Sequence, residues 1–502
     1  MFEIYTLDNG LRVVTEYIEH VNSVSVGVMV QNGSRNEEKS VNGISHFIEH
    51  MFFKGTNKRS AKEIVQDIEN VGGQINAYTS KETTCYYTKS LYTHLELCLD
   101  VLSDMLLNAK FDDEEIEKEK GVVIEEINMS EDNPEDVLED IHSKVIFGDN
   151  PLADPILGTI DIIKSLNSKK IKEYVKKHYT PHNSVISICG KFHKNELKKL
   201  IENYFGPWDK NEIYIPTYEE VNLLDGSAYV NKQIEQLHIN VGLKGLPYAH
   251  ERAYSLALLN NIFGGGASSV LFQKVREELG LCYTIYSYSQ PYIGVGSLNI
   301  YTGLSKQFAG KALEVINREL KHFADNGISD EKLNINKEKL ISGYLLGLES
   351  TASRMFANAK CLLLQNKIKT AEEVTEKINK INKQDINYVL EECFKPGIIS
   401  ASYVGQDVEI DGLNKIIGLS DIAYNRQVKC KMLWTAYYST PLQLFGNRLN
   451  TGITYLKSFY LFLYVWPVLS FAFYGLKNNI TIDFKDVRMI SPSFYEIRKH
   501  NV

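Results

Sequence analysis

Two imidazoles one helical turn apart, with a carboxylate between them, mark the residues His46-Phe47-Ile48-Glu49-His50. Positions i and i+4 share a helix face, which is what two ligands of one metal ion require. The flanking Ile44, Phe47, Ile48, Met51, Phe52 and Phe53 leave no polar face, so a buried helix is predicted. An ionised carboxylate in such surroundings is costly unless strongly partnered, and a zinc ion meets that need. Glu49 cannot easily enter the coordination sphere of the adjacent His50, yet it can reach a water on the metal. That is the general-base position of a metallopeptidase. Two core histidines bonded to backbone would give the same five residues, so a third ligand must be found.

The run from Phe111 to Ile127 reads as a strong helix with acidic residues in its first turn. On a helical wheel Ile116, Glu119, Val122, Val123, Glu126 and Ile127 share one stripe, which sets two carboxylates within an apolar face. Glu125 falls about 100° away and is expected to be exposed. Glu114, Glu115 and Glu117 read as a solvated face. Glu126 is the expected third ligand, with Glu119 supporting the site from behind.

At this point the chain resembles a known family. Residues Gly43 to Thr56 are similar to the inverted-motif zinc peptidases of the insulinase and pitrilysin type, most of all the mitochondrial processing peptidase branch and its bacterial relatives. The resemblance implies a ligand Glu about 76 residues after the motif, at Glu126, and an accessory Glu about seven residues before that, at Glu119. Residues Gly73 to Thr84 are similar to the family's edge strand that pairs with substrate backbone, with Asn76 and Ala77 at its substrate-contacting positions. Arg276 and Tyr283 match a pair that family members use to hold the substrate carbonyl near zinc. Taken alone, they read as a helix-end salt bridge and an ordinary strand aromatic. The glycine-rich loop Gly264 to Ser269 has neither a P-loop ending nor dinucleotide spacing, and reads as a flexible turn with a Ser cap.

The resemblance implies a zinc-dependent endopeptidase with one zinc per chain, acting on extended or unstructured peptides. The rival it leaves is a catalytically silent scaffold or assembly subunit of the same fold. Full-length members close four such domains into a clamshell chamber and shorter ones do so as dimers, so a homodimer is expected.

The elements that must position these groups form a duplicated pattern. Tyr5 to Val14 reads strand, Asn-Gly turn, strand. Helices are predicted near 62–71, 92–107, 113–130, 160–166 and 169–177. The segments Pro181 to Gly190 and Pro396 to Gly405 close the two halves alike, a repeat of about 215 residues. The expected fold is α+β, with two homologous domains whose sheets are covered by helices on one face. The first spans 1–208 and carries the zinc residues; 209–227 is a linker, 228–408 the second domain, and 409–502 an atypical tail.

A 44% hydrophobic content is enough for real cores, and a net charge of −8 gives no reason to propose nucleic acid. Seven scattered Cys without a Cys-x-x-Cys pair predict free thiols in a reducing cytoplasm. The first residues run straight into a strand, with no signal or transit pattern. Residues 459–476 carry no charge and just reach the length of a membrane span, which leaves three readings open: a membrane or interfacial anchor, a poorly folded appendage and a packed helical hairpin.

Overall fold

Alternating apolar residues interrupted by turn formers build two sheets in this chain. The computed structural model describes residues 2–209, 214–419, 487–491 and 494–497. In the first half the strands are β1 (Phe2–Thr6), β2 (Arg12–Tyr17), β3 (Ser23–Val30), β4 (Gln74–Thr79), β5 (Thr84–Leu91) and β6 (Ser184–Gly190). They lie in the order β1-β2-β6-β3-β5-β4. The second half has β7 (Gly226–Asn231), β8 (Gln236–Lys244), β9 (Cys282–Tyr292), β10 (Val295–Ser305) and β11 (Ser400–Gly405), ordered β7-β11-β8-β10-β9. In each sheet one pair is parallel, β2 with β6 and β7 with β11, and every other pair is antiparallel. The second order repeats the first without its outer strand β1. Two α+β domains of one topology therefore make up the described residues up to 419, in line with the repeat.

The alternation in β3 explains how each sheet is packed. Val24, Val26 and Val28 face a core shared with the helices Ile44–Phe52, Leu95–Asn108 and Ser168–His178. On the opposite face Val14, Met29, Cys85 and Val185 pack against Ala359, Leu362 and Leu363. Those last three belong to the helix Thr351–Gln365, which comes from the second half. The reciprocal contact exists too: Leu138 of the helix Pro134–Phe147 packs with Tyr301 and Val404 on the second sheet. Each sheet thus has helices on both faces, its own on one and a borrowed one on the other. A glycine admits each borrowed helix. A Cβ on Gly27 in β3 would overlap Met355, and one on Gly242 in β8 would lie 2.8 Å from His142 Nε2.

The helix Pro134–Phe147 is absent from the predicted set. Its signal was a cap: Asn133 accepts from Glu135 N–H with Pro134 at the first helical position. The predicted boundary at 408 also shifts, because the helix Ile410–Ile417 continues and Ile417 and Leu419 are buried in the second core. Within the linker Val221 and Leu223 pack on Ile146 and Phe147, so this stretch is anchored to the domains it joins. The halves are further tied by Arg35, which is ion-paired with Glu82 at 2.5 Å and donates to Ile293 O at 2.8 Å. Glu82 also accepts from Ile293 N–H at 2.9 Å.

His142 holds the borrowed helix polar-side as well, with Nδ1 3.1 Å from Ser402 Oγ and Nε2 3.2 Å from Asn299 Oδ1. Burial pushes its imidazole down to about 4 from an ordinary 6.5. The folded-state value lies below the unfolded one, so this contribution is complete above about pH 6.5 and is lost as pH falls towards 4. It is worth roughly 3 kcal/mol. Urea unfolding at pH 7 and pH 4.5 should show a loss that His142→Gln reduces; an equal loss in both proteins would refute the assignment.

Residues Lys431–Val502 form a separate unit, in which the strands Val487–Ser491 and Phe494–Ile497 pair antiparallel. The apolar stretch 459–476 lies outside the described residues. Among those described, no helix is long and apolar enough to cross a membrane. The six described Cys are free, five of them buried.

Candidate metal centre

The helix Ile44–Phe52 is fixed by its apolar side chains. Phe52 sits 5.1 Å from Tyr86, 5.4 Å from Phe111 and 5.3 Å from Tyr179, ring centre to ring centre. Ile44, Phe47, Ile48 and Met51 are buried beside it. Anchored this way, the helix turns His46 and His50 towards the helix Asp113–Asp132. Glu126 Oε2 lies 3.6 Å from His46 Nε2 and 3.5 Å from His50 Nε2. Ligand atoms of the three residues all fall within 4.8 Å of one another. Donors about 2.0–2.1 Å from a tetrahedral ion stand roughly 3.4 Å apart, so the spacing fits a zinc ion. Among the described residues no other group of three such side chains occurs.

The protonation of His46 also suits metal binding, whereas the carboxylates of Glu119, Glu126 and Glu49 raise the His50 imidazole despite its burial. Burial, helped by the neighbouring His50, pushes His46 down to about 4, so its ring is neutral near pH 7. His50 Nδ1 lies 2.8 Å from Glu119 Oε1, which assigns the proton to Nδ1 and leaves Nε2 free for the ion. Lys54 Nζ contacts the other Glu119 oxygen at 2.5 Å. Burial alone would raise the Glu119 carboxyl, but the bonds from His50 and Lys54 outweigh it and hold it below the usual value. His46 Nδ1 has no hydrogen-bond partner among the described residues. Glu119→Gln should weaken zinc binding about 10- to 100-fold, measured by competition with a chromophoric chelator. An unchanged affinity would leave Glu119 without that role.

Glu49 is placed differently. Its Oε2 accepts from Thr79 Oγ1 at 2.5 Å, and Thr79 is the last residue of β4. Burial raises the Glu49 carboxyl and so makes it the more basic, although the Thr79 bond works against this. Among the described residues strand β4 pairs only with β5, which leaves its outer edge open there. Asn76 and Ala77 lie on that edge strand, where the Asn76 side chain accepts from Ala77 N–H at 2.8 Å. A peptide pairing there would run towards Glu49.

Arg276 and Tyr283 are brought together but not to the metal cluster. The Arg276 guanidinium stands 5.4 Å from the Tyr283 ring centre and 4.4 Å from that of Phe272. Arg276 lies in the π-helix Phe272–Glu277 and Tyr283, 77% exposed, on the edge strand β9. Among the described residues no hydrogen bond or ion pair joins either to His46, Glu49, His50 or Glu126. Ser269 Oγ accepts from Phe272 N–H at 3.4 Å, in line with the expected Ser cap.

One residue of the helical stripe, Val122, differs from expectation. Ile116, Glu119, Val123 and Ile127 are buried, but Val122 is 51% exposed. It stands one turn before Glu126, on the open side of the cluster. The sequence assigns no role to Thr79, to Lys54 or to Glu37, which accepts from the Gly43 and Ser45 N–H groups at the start of the helix Ile44–Phe52. Only Glu37, an acid before a glycine-led helix, carried a local signal that could have found it.

Residues 12–160 match the family described as Insulinase (Peptidase family M16), and residues 165–340 match Peptidase M16 inactive domain. The chain is 41% identical over 394 residues to "Uncharacterized zinc protease YmxG" of Bacillus subtilis, covering 78% of this chain and 96% of that one. It is 34% identical over 393 residues to a Streptomyces coelicolor protein also called a zinc protease, covering 76% and 85%. A crystal structure of a protease from Helicobacter pylori superposes with a TM-score of 0.76 at 24% identity, over 81% of this chain and 99% of the other. That likeness concerns the fold.

Proposed function

Because this chain belongs to the insulinase family of peptidases (family M16), we propose that it is a zinc endopeptidase acting on extended or unstructured peptides. Zinc is its metal, and the donor set of two imidazoles and a carboxylate suits that ion. The observation that carries the reading is the convergence of His46, His50 and Glu126, with Glu49 on the same helix bonded to Thr79 at the end of β4, an edge strand among the described residues.

When bound, zinc supplies a Lewis acid that polarises the scissile carbonyl and acidifies water. His46, His50 and Glu126 hold it, and Glu119 keeps the His50 tautomer by taking its Nδ1 proton in a hydrogen bond. Glu49 takes the proton from the attacking water and delivers it to the leaving amine. Substrate backbone adds to β4 beside Asn76 and Ala77, which gives affinity with loose sequence demand. Arg276 and Tyr283 then engage the substrate carbonyl from the second half, a cation and a phenol suited to an oxyanion. A homodimer that closes over the site belongs to the same proposal.

A silent scaffold would be expected to lack one or more of these groups, and the two halves together carry every one of them. The test is metal analysis of purified protein, then cleavage of a quenched peptide library with and without chelator. Expected are one zinc per chain and cleavage that chelation stops and zinc restores. Metal-free protein, or cleavage indifferent to chelator, would overturn the proposal.

A further inference from the structure

The helix that carries both imidazoles cannot cap itself. Its N-cap is Gly43, held at φ +92°, where a Cβ would lie 2.6 Å from Leu157 O and 2.8 Å from Gly158 Cα. A residue with a capping side chain is therefore excluded from that position, and the first-turn N–H groups need another acceptor. Glu37, six residues upstream and almost wholly buried, provides it. One carboxylate oxygen accepts from Gly43 N–H at 2.7 Å and from Asn42 Nδ2 at 2.9 Å, and the other from Ser45 N–H at 2.8 Å. A second set of bonds fixes the same turn. Ser45 Oγ lies 3.0 Å from Asn32 Nδ2 and 3.1 Å from Tyr174 OH, and Tyr174 OH donates to Asn32 Oδ1 at 2.9 Å.

We propose that Glu37 is a positioning residue of the zinc site, whose carboxylate clamps the first turn and so sets His46 and His50 against Glu126. Ser45 directly precedes His46, and the helix is only nine residues long. A rotation or slide of its first turn therefore reaches both imidazoles undamped. The clamp is two-pronged, which fixes rotation about the helix axis as a single acceptor would not. Burial pushes this carboxyl up to about 7, while the bonds from Ser45 and Gly43 pull against that. Glu37 has no part in the chemistry proposed above; the inference concerns the geometry that chemistry needs, and rests on that reading.

Glu37→Gln tests it in the full chain. An amide keeps the shape but turns one acceptor into a donor, which must face an N–H group of the clamp. Expected is a rise in the zinc dissociation constant of roughly 10- to 100-fold, the range for lost outer partners of a metal site. Hydrogen exchange of the metal-free protein should quicken around residues 43–46 while the far-ultraviolet circular dichroism stays the same. His142→Gln, whose hydrogen-bond partners Ser402 and Asn299 belong to the second sheet, should keep wild-type zinc affinity even though it alters stability. A folded Glu37→Gln protein that binds zinc like the wild type overturns the inference. Should that variant fail to fold, Asn42→Ala removes one donor from the clamp and is expected to weaken zinc several-fold; unchanged affinity there overturns it equally. Wild-type protein that binds no zinc would instead sink the peptidase reading itself.

Discussion

Glu49→Gln is expected to keep one zinc per chain and to lose about 10²–10⁴-fold in kcat, with KM nearly unchanged. The amide can still accept from Thr79 Oγ1, so the side chain should stay where the carboxylate is. None of the three candidate ligands is altered, hence zinc content should hold. What disappears is the ability to take a proton at neutral pH. Metal analysis and steady-state kinetics on one quenched peptide check both halves of the claim. Cleavage within tenfold of the wild type would remove Glu49 from the role of base. Loss of zinc together with activity would mean that it supports the site instead.

The largest loss of stability is expected at Arg35. Its side chain is 2% exposed and that of its partner Glu82 is 7% exposed, so neither can turn to water when the other is removed. Arg35→Ala should therefore cost about 3–5 kcal/mol, most of it from a carboxylate left buried and unpaired. The substitution also frees Ile293 O, which lies in the turn between β9 and β10. Equilibrium urea unfolding measures the cost. Adding Glu82→Gln to Arg35→Ala should recover part of it, because the orphaned charge is then absent. A cost below about 1 kcal/mol for Arg35→Ala would show that the pair is well solvated in solution.

Much of the metal centre was legible before any coordinates. The spacing of His46 and His50, the apolar run around them and the carboxylates of Glu119 and Glu126 on one stripe are local patterns, and helix geometry turns them directly into positions. Predicted helices at 62–71 and 113–130 likewise appear as Ala61–Glu69 and Asp113–Asp132. The stripe misplaced Val122 because a helical wheel gives direction without saying how wide the covering surface is. Glu37 and Thr79 act through contacts between separate elements, which periodicity does not encode. The helix Pro134–Phe147 was missed because its charged first turn resembles a continuation of the acidic run before it. Even a correct helix there would not have told which sheet it covers. Apolar faces announce that a cover exists, and topology alone decides whose.

The two borrowed helices have a mechanical consequence. Since Thr351–Gln365 lies against β3 and Pro134–Phe147 against the strands of the second sheet, each half is clasped by the other. Prising them apart would strip an apolar strip bare on both sides at once. The pair should therefore move as one rigid body, with no hinge between these two domains. A chain severed in its middle should yield fragments that hold together without a covalent join.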